Sequence, residues 1–233
     1  MSSAASNPNE TFLLAALEKL APVLDRIVFV GGCAAGLLIT DSAAAPVRPT
    51  LDVDVIVETA SYLEFTQLEE QLRNLGLHES RAEDAPVCRW VTDNLIIDVM
   101  PTDPKILGFA NRWYRPAFAH ATMTELGGYK FRLINAPYFL ATKFEAFHGR
   151  GGNDYRISHD MEDIVTAVDG RREIVAEVNQ SELAVRQYLM TEFTTLLEQR
   201  DFIEALPGHL LPDRASQQRL PIVIDRLRQM ASP

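Results

Sequence analysis

The stretch Arg26-Ile27-Val28-Phe29-Val30-Gly31-Gly32, followed after a long interval by Leu51-Asp52-Val53-Asp54-Val55-Ile56-Val57-Glu58, decides how this chain is read. Arg26–Val30 predicts a short buried strand running onto Gly31-Gly32, and Cys33–Thr40 (CAAGLLIT) predicts a small-residue helix packed on the sheet. Leu51–Glu58 is rich in β-branched residues and predicts a second strand. In it Asp52 and Asp54 stand two apart, so both side chains leave the same face. Among Val53, Val55, Ile56 and Val57, two such carboxylates repel each other and lose hydration. A divalent cation removes that conflict, and carboxylate oxygens suit Mg2+. For an isolated Asp-x-Asp the simpler reading is a strand end that faces solvent.

Further along, Cys88–Val91 and Leu95–Met100 predict two strands joined across Thr92-Asp93-Asn94. The second carries Asp98, a charge inside an apolar run. Should that strand neighbour the first, three carboxylates converge, enough for two metal ions about 3.5–4 Å apart and in-line phosphoryl displacement. Gly31-Gly32, between strand and helix, lets the backbone approach a phosphate at the helix N-terminus. Alone that signal is weak; beside the carboxylates it matters.

Around this centre the periodicity predicts an N-terminal helix over Glu10–Leu24, a Ser/Ala/Pro loop over Asp41–Pro49, and a helix from Ser61 to about Leu75 with Gly76 as its stop. Ala119–Thr124 and Tyr129–Ile134 predict a strand pair around Gly127-Gly128. From Pro137 the pattern is helical: Pro137–Phe147, His159–Val168, Ser181–Gln199 and a last helix near Pro221–Met230. The expected fold is α/β (α+β): a mixed sheet flanked by helices over residues 1–135, then a helical region, 136–233, that completes an active-site cleft.

Bulk properties narrow the function classes. With 22 basic and 32 acidic residues the formal charge is −10, which argues against a broad basic surface for nucleic acid. Two of the four lysines, Lys130 and Lys143, fall in one central stretch and leave room for a local basic site. No apolar run is long enough to span a bilayer, and Met1–Glu10 lacks the layout of a signal peptide. The expectations are no membrane contact and a cytoplasmic location. Cys33 and Cys88 make no disulfide framework or metal pattern and read as buried thiols.

A second group follows at Lys143–Asp163. Lys143, in the helix Ala141–Phe147, suits phosphate as a compact cation, and Arg150 lies two turns on. After a glycine-rich break at Gly149–Asn153, Ser158 is a natural N-cap, and Asp160 and Asp163 share a helix face. The plain alternative is that acidic residues in a first turn complement the helix dipole. His159-Asp160, with His148 and Asp169 as further ligands, also invites a metal-dependent HD phosphohydrolase reading, which leaves the strand carboxylates unexplained. Asn111-Arg112-Trp113-Tyr114-Arg115 offers a base-stacking surface or, more simply, a surface or hinge cluster. His78 and His120 read as structural.

Phe29-Val30-Gly31-Gly32, then Arg48-Pro49-Thr50-Leu51-Asp52-Val53-Asp54, then Ile97-Asp98-Val99, resembles the polymerase-β-like nucleotidyltransferases, closest to the bacterial AbiEii-type toxin group. The likeness runs from about Arg26 to Arg171. AbiEii-type proteins carry a similar Lys helix and Asp-x-x-Asp helix. The resemblance implies that Gly31 and Gly32 cradle a nucleoside triphosphate and that Arg48 and Thr50 lie at its phosphates. It implies that Asp52, Asp54 and Asp98 bind Mg2+ or Mn2+, with Asp98 also helping deprotonate an attacking hydroxyl. Lys143, Arg150 and Asp160 complete the nucleotide site. The implied reaction transfers a nucleoside monophosphate to a tRNA 3′ end or a protein, in a toxin with an antitoxin or regulator partner. A small-molecule acceptor such as an aminoglycoside, or a non-catalytic nucleotide-binding or interaction module on the same fold, are the alternatives. One departure stands out: the stretch from Gly32 to Asp52 is longer than in that family, so Asp41–Pro49 must loop out, which leaves Arg48's place open.

Overall fold

The computed structural model describes residues 9–150 and 154–232; three of the five residues of the Gly149–Asn153 break lie outside that range, as do the first eight. By compactness the chain divides into two units, Pro8–Ala34 with Arg48–Asn135, and Ala35–Val47 with Ala136–Pro233. The first contains a mixed seven-stranded sheet and its helices; the second is helical.

In the sheet unit, α1 (Glu10–Lys19) leads through a 3-10 turn at Ala21–Arg26 into β1 (Ile27–Val30). The helix expected over Glu10–Leu24 therefore ends early, because Pro22 restricts the residue before it and lacks the amide that would continue the helix. The helix α2 (Gly31–Leu38) starts at the glycines themselves. There follow β2 (Asp52–Val57), α3 (Tyr62–Asn74), β3 (His78–Glu79), β4 (Arg89–Val91), β5 (Ile96–Pro101), the short helices α4 (Pro104–Leu107) and α5 (Tyr114–Ala119), and the hairpin β6 (Thr122–Leu126) and β7 (Tyr129–Leu133). Residue Ala119, expected to open a strand, ends α5 instead. The short elements β3, α4 and α5 carry too little periodicity to be read from the chain.

Local chemistry explains the joints. Ser61 caps α3 by accepting the Glu64 amide at 3.3 Å, and Glu64 reaches back to the Ala60 amide at 2.7 Å. Between Leu126 and Tyr129, which pair directly, Gly127 and Gly128 have φ of 58° and 84°, the two left-handed residues of a type I′ hairpin turn.

The strand order is β3-β4-β5-β2-β1-β7-β6. The pairs β2–β5 and β1–β7 are parallel; β1–β2, β3–β4, β4–β5 and β6–β7 are antiparallel. The unit's core holds Val28, Phe29, Val53, Val55, Ile97, Val99 and Phe131, with Leu13 and Leu17 of α1 and Leu68 of α3. Phe29 and Phe131 meet edge to face at 5.1 Å.

The helical unit is built from α6 (Ala136–Gly149), α7 (His159–Gly170), α8 (Ile174–Gln180), α9 (Leu183–Glu198), α10 (Arg200–Ala205), α11 (Arg214–Gln217) and α12 (Leu220–Met230). Ten of the fourteen residues of α6 are buried, which makes it this unit's central helix; Phe144 packs on Phe193 at 5.3 Å and on Tyr188 at 6.4 Å. The long interval before Asp52 is largely pinned here. The amides of Thr40 and Asp41 donate to the Gly170 carbonyl at 3.0 and 2.8 Å, satisfying a helix end. Arg219 bridges Asp41 at 2.9 Å and Asp169 at 2.7 Å. No helix among the described residues is long and apolar enough to cross a membrane.

Candidate functional site

The parallel register of β2 and β5 sets Asp54 directly beside Asp98, and Asp52 beside Ile96. Side chains in register on adjacent strands share a face, so Asp52, Asp54 and Asp98 do leave one side of the sheet. Their burial is unequal. Asp98 is buried, whereas Asp52 and Asp54 are half-exposed and alternate with the fully buried Val53 and Val55. The strand is thus open on one face only at Asp52 and Asp54, since Ile56 on the same face is buried; it is drier than an exposed Asp-x-Asp and wetter than a continuous apolar run suggests.

The charge partner these carboxylates demand is a side chain that their own pattern did not reveal. Arg89 of β4 lies opposite Asp98 in the antiparallel β4–β5 pair. Its Nε donates to Asp98 Oδ1 and its Nη2 to Asp98 Oδ2, both at 2.8 Å. The same Nη2 reaches across to Asp52 Oδ2 at 2.9 Å. The planar fork of a guanidinium matches a carboxylate in this two-pronged way, and charge assistance strengthens each bond. Hydrogen bonding to Asp98 pushes the Arg89 guanidinium further up, so it stays a cation. The signal for Arg89 lay in the hairpin. The Thr92 amide bonds to the Leu95 carbonyl at 2.9 Å across a two-residue turn, and counting back from that turn pairs residue 89 with 98.

Gly31 serves the same face by geometry. Its φ is +70°, a left-handed conformation that side chains rarely adopt. A Cβ there would come within 1.8 Å of Asp54 Oδ2 and 2.5 Å of its Cγ. The glycine therefore makes room for the Asp54 carboxylate at the start of α2. Gly32 is the buried next residue of that helix.

Thr50 and Arg48 are held by a residue at the far end of the unit's sequence. The Asn9 side chain accepts the Thr50 amide at 2.9 Å and donates to the Arg48 carbonyl at 3.1 Å. Thr50 Oγ1 donates to the Asp52 carbonyl at 3.2 Å. The main chain that leads into β2 is thus fixed two residues ahead of Asp52. Asn9 was not legible as a site residue, since a polar residue before a helix reads only as a cap.

Two thiols adjoin the carboxylates electrostatically. Burial pushes Cys33 up to about 12; a hydrogen bond with Thr50 opposes this, while the charges of Asp54 and Asp52 add to it. Burial pushes Cys88 up to about 12 as well, with Asp98 adding. Both are protonated and inert at neutral pH.

Lys143, Arg150, Asp160 and Asp163 come together within the helical unit. Lys143 Nζ lies 2.6 Å from Asp163 Oδ2 and 3.3 Å from Asp160 Oδ1, with its side chain 10% exposed and theirs 3%. Arg150 adds an ion pair to Asp160 Oδ2 at 3.2 Å. Ser158 caps α7 through the Met161 amide, as its position suggested. The other histidine–aspartate candidates each have a partner: His159 meets Glu162, His148 meets Glu192 and Asp169 meets Arg219. In the aromatic–basic cluster, Arg112 stacks on Trp113 at 5.4 Å and Arg115 lies 3.5 Å from Glu58.

The donor chemistry on the sheet fits a hard divalent cation: three carboxylates, oxygen only, on one face, with a glycine where a Cβ would strike one of them. The spacing differs from that of a metal centre. Among the described residues no three His, Cys, Asp or Glu side chains come together as a group that could hold a metal ion. The cation that Asp98 and Asp52 meet is Arg89. No family model matches the chain, and no curated protein matches it.

Proposed function

We propose that the sheet unit is the catalytic core of a nucleotidyltransferase of the polymerase-β-like type. The observation that carries the reading is the in-register pair Asp54–Asp98 on adjacent parallel strands, with Asp52 on the same face and Gly31 packed against Asp54. Asp52, Asp54 and Asp98 would hold Mg2+ or Mn2+, which supplies Lewis-acid stabilisation of charge on the transferred phosphoryl group. The chain's own part is positioning. The β2–β5 register fixes two carboxylates side by side, and the Asn9 strap fixes the approach of Arg48 and Thr50. The cofactor is a divalent cation, the substrate a nucleoside triphosphate, and the acceptor a hydroxyl on tRNA, on a protein or on a small molecule. Incubation with each labelled triphosphate, Mg2+ and the three acceptor classes tests this. Label should reach one class, and Asp54→Ala and Asp98→Ala should abolish transfer. No labelled acceptor, together with unchanged Mg2+-dependent triphosphate binding in Asp54→Ala, overturns the reading.

One observation favours a second reading, a non-catalytic module. Because Arg89 compensates Asp98 and Asp52, their retention needs no metal to explain it. Calorimetric titration separates the two: a module shows no nucleotide affinity that depends on Mg2+.

A further inference from the structure

Arg89 sits where the carboxylate face needs positive charge, and its position is built rather than accidental. It stands opposite Asp98 by strand register, binds both oxygens of that residue, and spans to a second strand to reach Asp52. The Arg89 side chain is 25% exposed and Asp98's 10%, so solvent screens this fork only in part. We propose that Arg89 is the resident counter-cation of the site, a positioning residue that competes with a divalent cation for Asp98 and Asp52. A metal ion then binds only as the guanidinium loosens its hold on one or both carboxylates. The inference rests on the reading of these aspartates as metal ligands.

Two consequences follow from charge alone. Without the ion, Arg89 keeps two carboxylates apart in charge and together in space, which holds the face ready. With the ion, a fixed positive charge a few ångströms away opposes it, so removing that charge must strengthen metal binding by about tenfold or more. Arg89→Lys keeps the charge but loses the planar fork and should fall between the wild type and Arg89→Gln.

The test is calorimetric titration of the full chain with Mn2+ alone, in wild type, Arg89→Gln, Arg89→Lys and Asp98→Asn, with thermal unfolding recorded in parallel. Arg89→Gln should bind Mn2+ at least tenfold more tightly than wild type, and Mn2+ should raise its melting temperature by more, because the ion then supplies the missing charge. Equal or weaker binding in Arg89→Gln overturns the competition. If Arg89→Gln does not fold without metal, Arg89→Lys decides: affinity above wild type supports the proposal, and affinity at or below it overturns it. Failure of the underlying reading looks different. There, no protein binds Mn2+ in a way that Asp98→Asn abolishes, whatever stands at residue 89.

Discussion

Gly31→Ala tests the geometry of the carboxylate face without touching a charge. Two penalties add at this position. The first is conformational: a left-handed φ of +70° costs a residue with a Cβ about 1–2 kcal/mol. The second is steric, since the new Cβ would lie 1.8 Å from Asp54 Oδ2 and 2.7 Å from its Cβ, so the Asp54 side chain must swing away. Forcing an atom into a packed site costs a further ~1–3 kcal/mol. The expected total is about 3 kcal/mol. Gly128→Ala is the internal reference: its φ is +84°, but nothing lies within 4 Å of the added Cβ, so only the conformational penalty applies. Both tryptophans, Trp90 and Trp113, belong to the sheet unit, so urea unfolding followed by their fluorescence reports on that unit. A double-mutant cycle completes the argument. In an Asp54→Ala background the carboxylate is gone and only the Cβ contact remains, so Gly31→Ala should cost less, with a coupling of about 1 kcal/mol. Should Gly31→Ala cost the same in both backgrounds, or no more than Gly128→Ala, the close approach of Gly31 and Asp54 is refuted.

Three further outcomes follow from the same structure. Lys143→Met strips the cation from two aspartates whose side chains are 3% exposed, and breaking such a buried network should cost about 3–5 kcal/mol, read by circular dichroism of the helices in urea; a loss under 1 kcal/mol would contradict the burial. At Asp41, burial raises the carboxyl, but hydrogen bonds from Arg172, Arg219 and the Ala43 amide more than reverse this and hold it well below the usual carboxylate range. A group depressed in the folded state stabilises above its unfolded value near 3.8 and loses that contribution as pH falls, so Asp41→Asn should lower stability at pH 7 and flatten the acid limb; an unchanged acid limb counts against the Arg219 bridge. Cys33 and Cys88, raised in the folded state, contribute stability in full below pH 9 and lose it as pH climbs towards about 12. Neither should react with a thiol reagent at pH 8 until urea is added, and a thiol that titrates freely in the native protein would refute its burial.

The elements legible in the chain were those with a strong local period. The two strands that carry Asp52, Asp54 and Asp98 came through because β-branched runs read clearly, and α3 because Ser61 and Gly76 mark its ends. The carboxylates' shared face also followed, since strand parity is a local property. What escaped depends on contacts between distant segments. Asn9 ties Arg48 and Thr50 from about forty residues away, and Gly31, where α2 begins, leaves room for the Asp54 side chain. The interval before Asp52 looked like surplus loop, yet Thr40 and Asp41 satisfy the end of α7, more than a hundred residues on.

Arg89 shows why the chemistry of a charged cluster is harder to read than its position. Carboxylates on a half-dry face require positive charge, and that requirement is as strong from the sequence as from the structure. It does not say whether the charge is an ion or a side chain. A guanidinium in hairpin register meets both oxygens of Asp98 and one of Asp52, so the chain itself supplies positive charge to these two carboxylates. Beside that salt bridge stands the third carboxylate of the face. Asp54 lies beside Asp98 in register and is given room by Gly31, whose φ of +70° a glycine adopts freely and a residue with a Cβ does not. The close approach of Gly31 and Asp54 is the contact on which the proposed binding site depends, and it is the one that Gly31→Ala in the wild-type and Asp54→Ala backgrounds puts to the test.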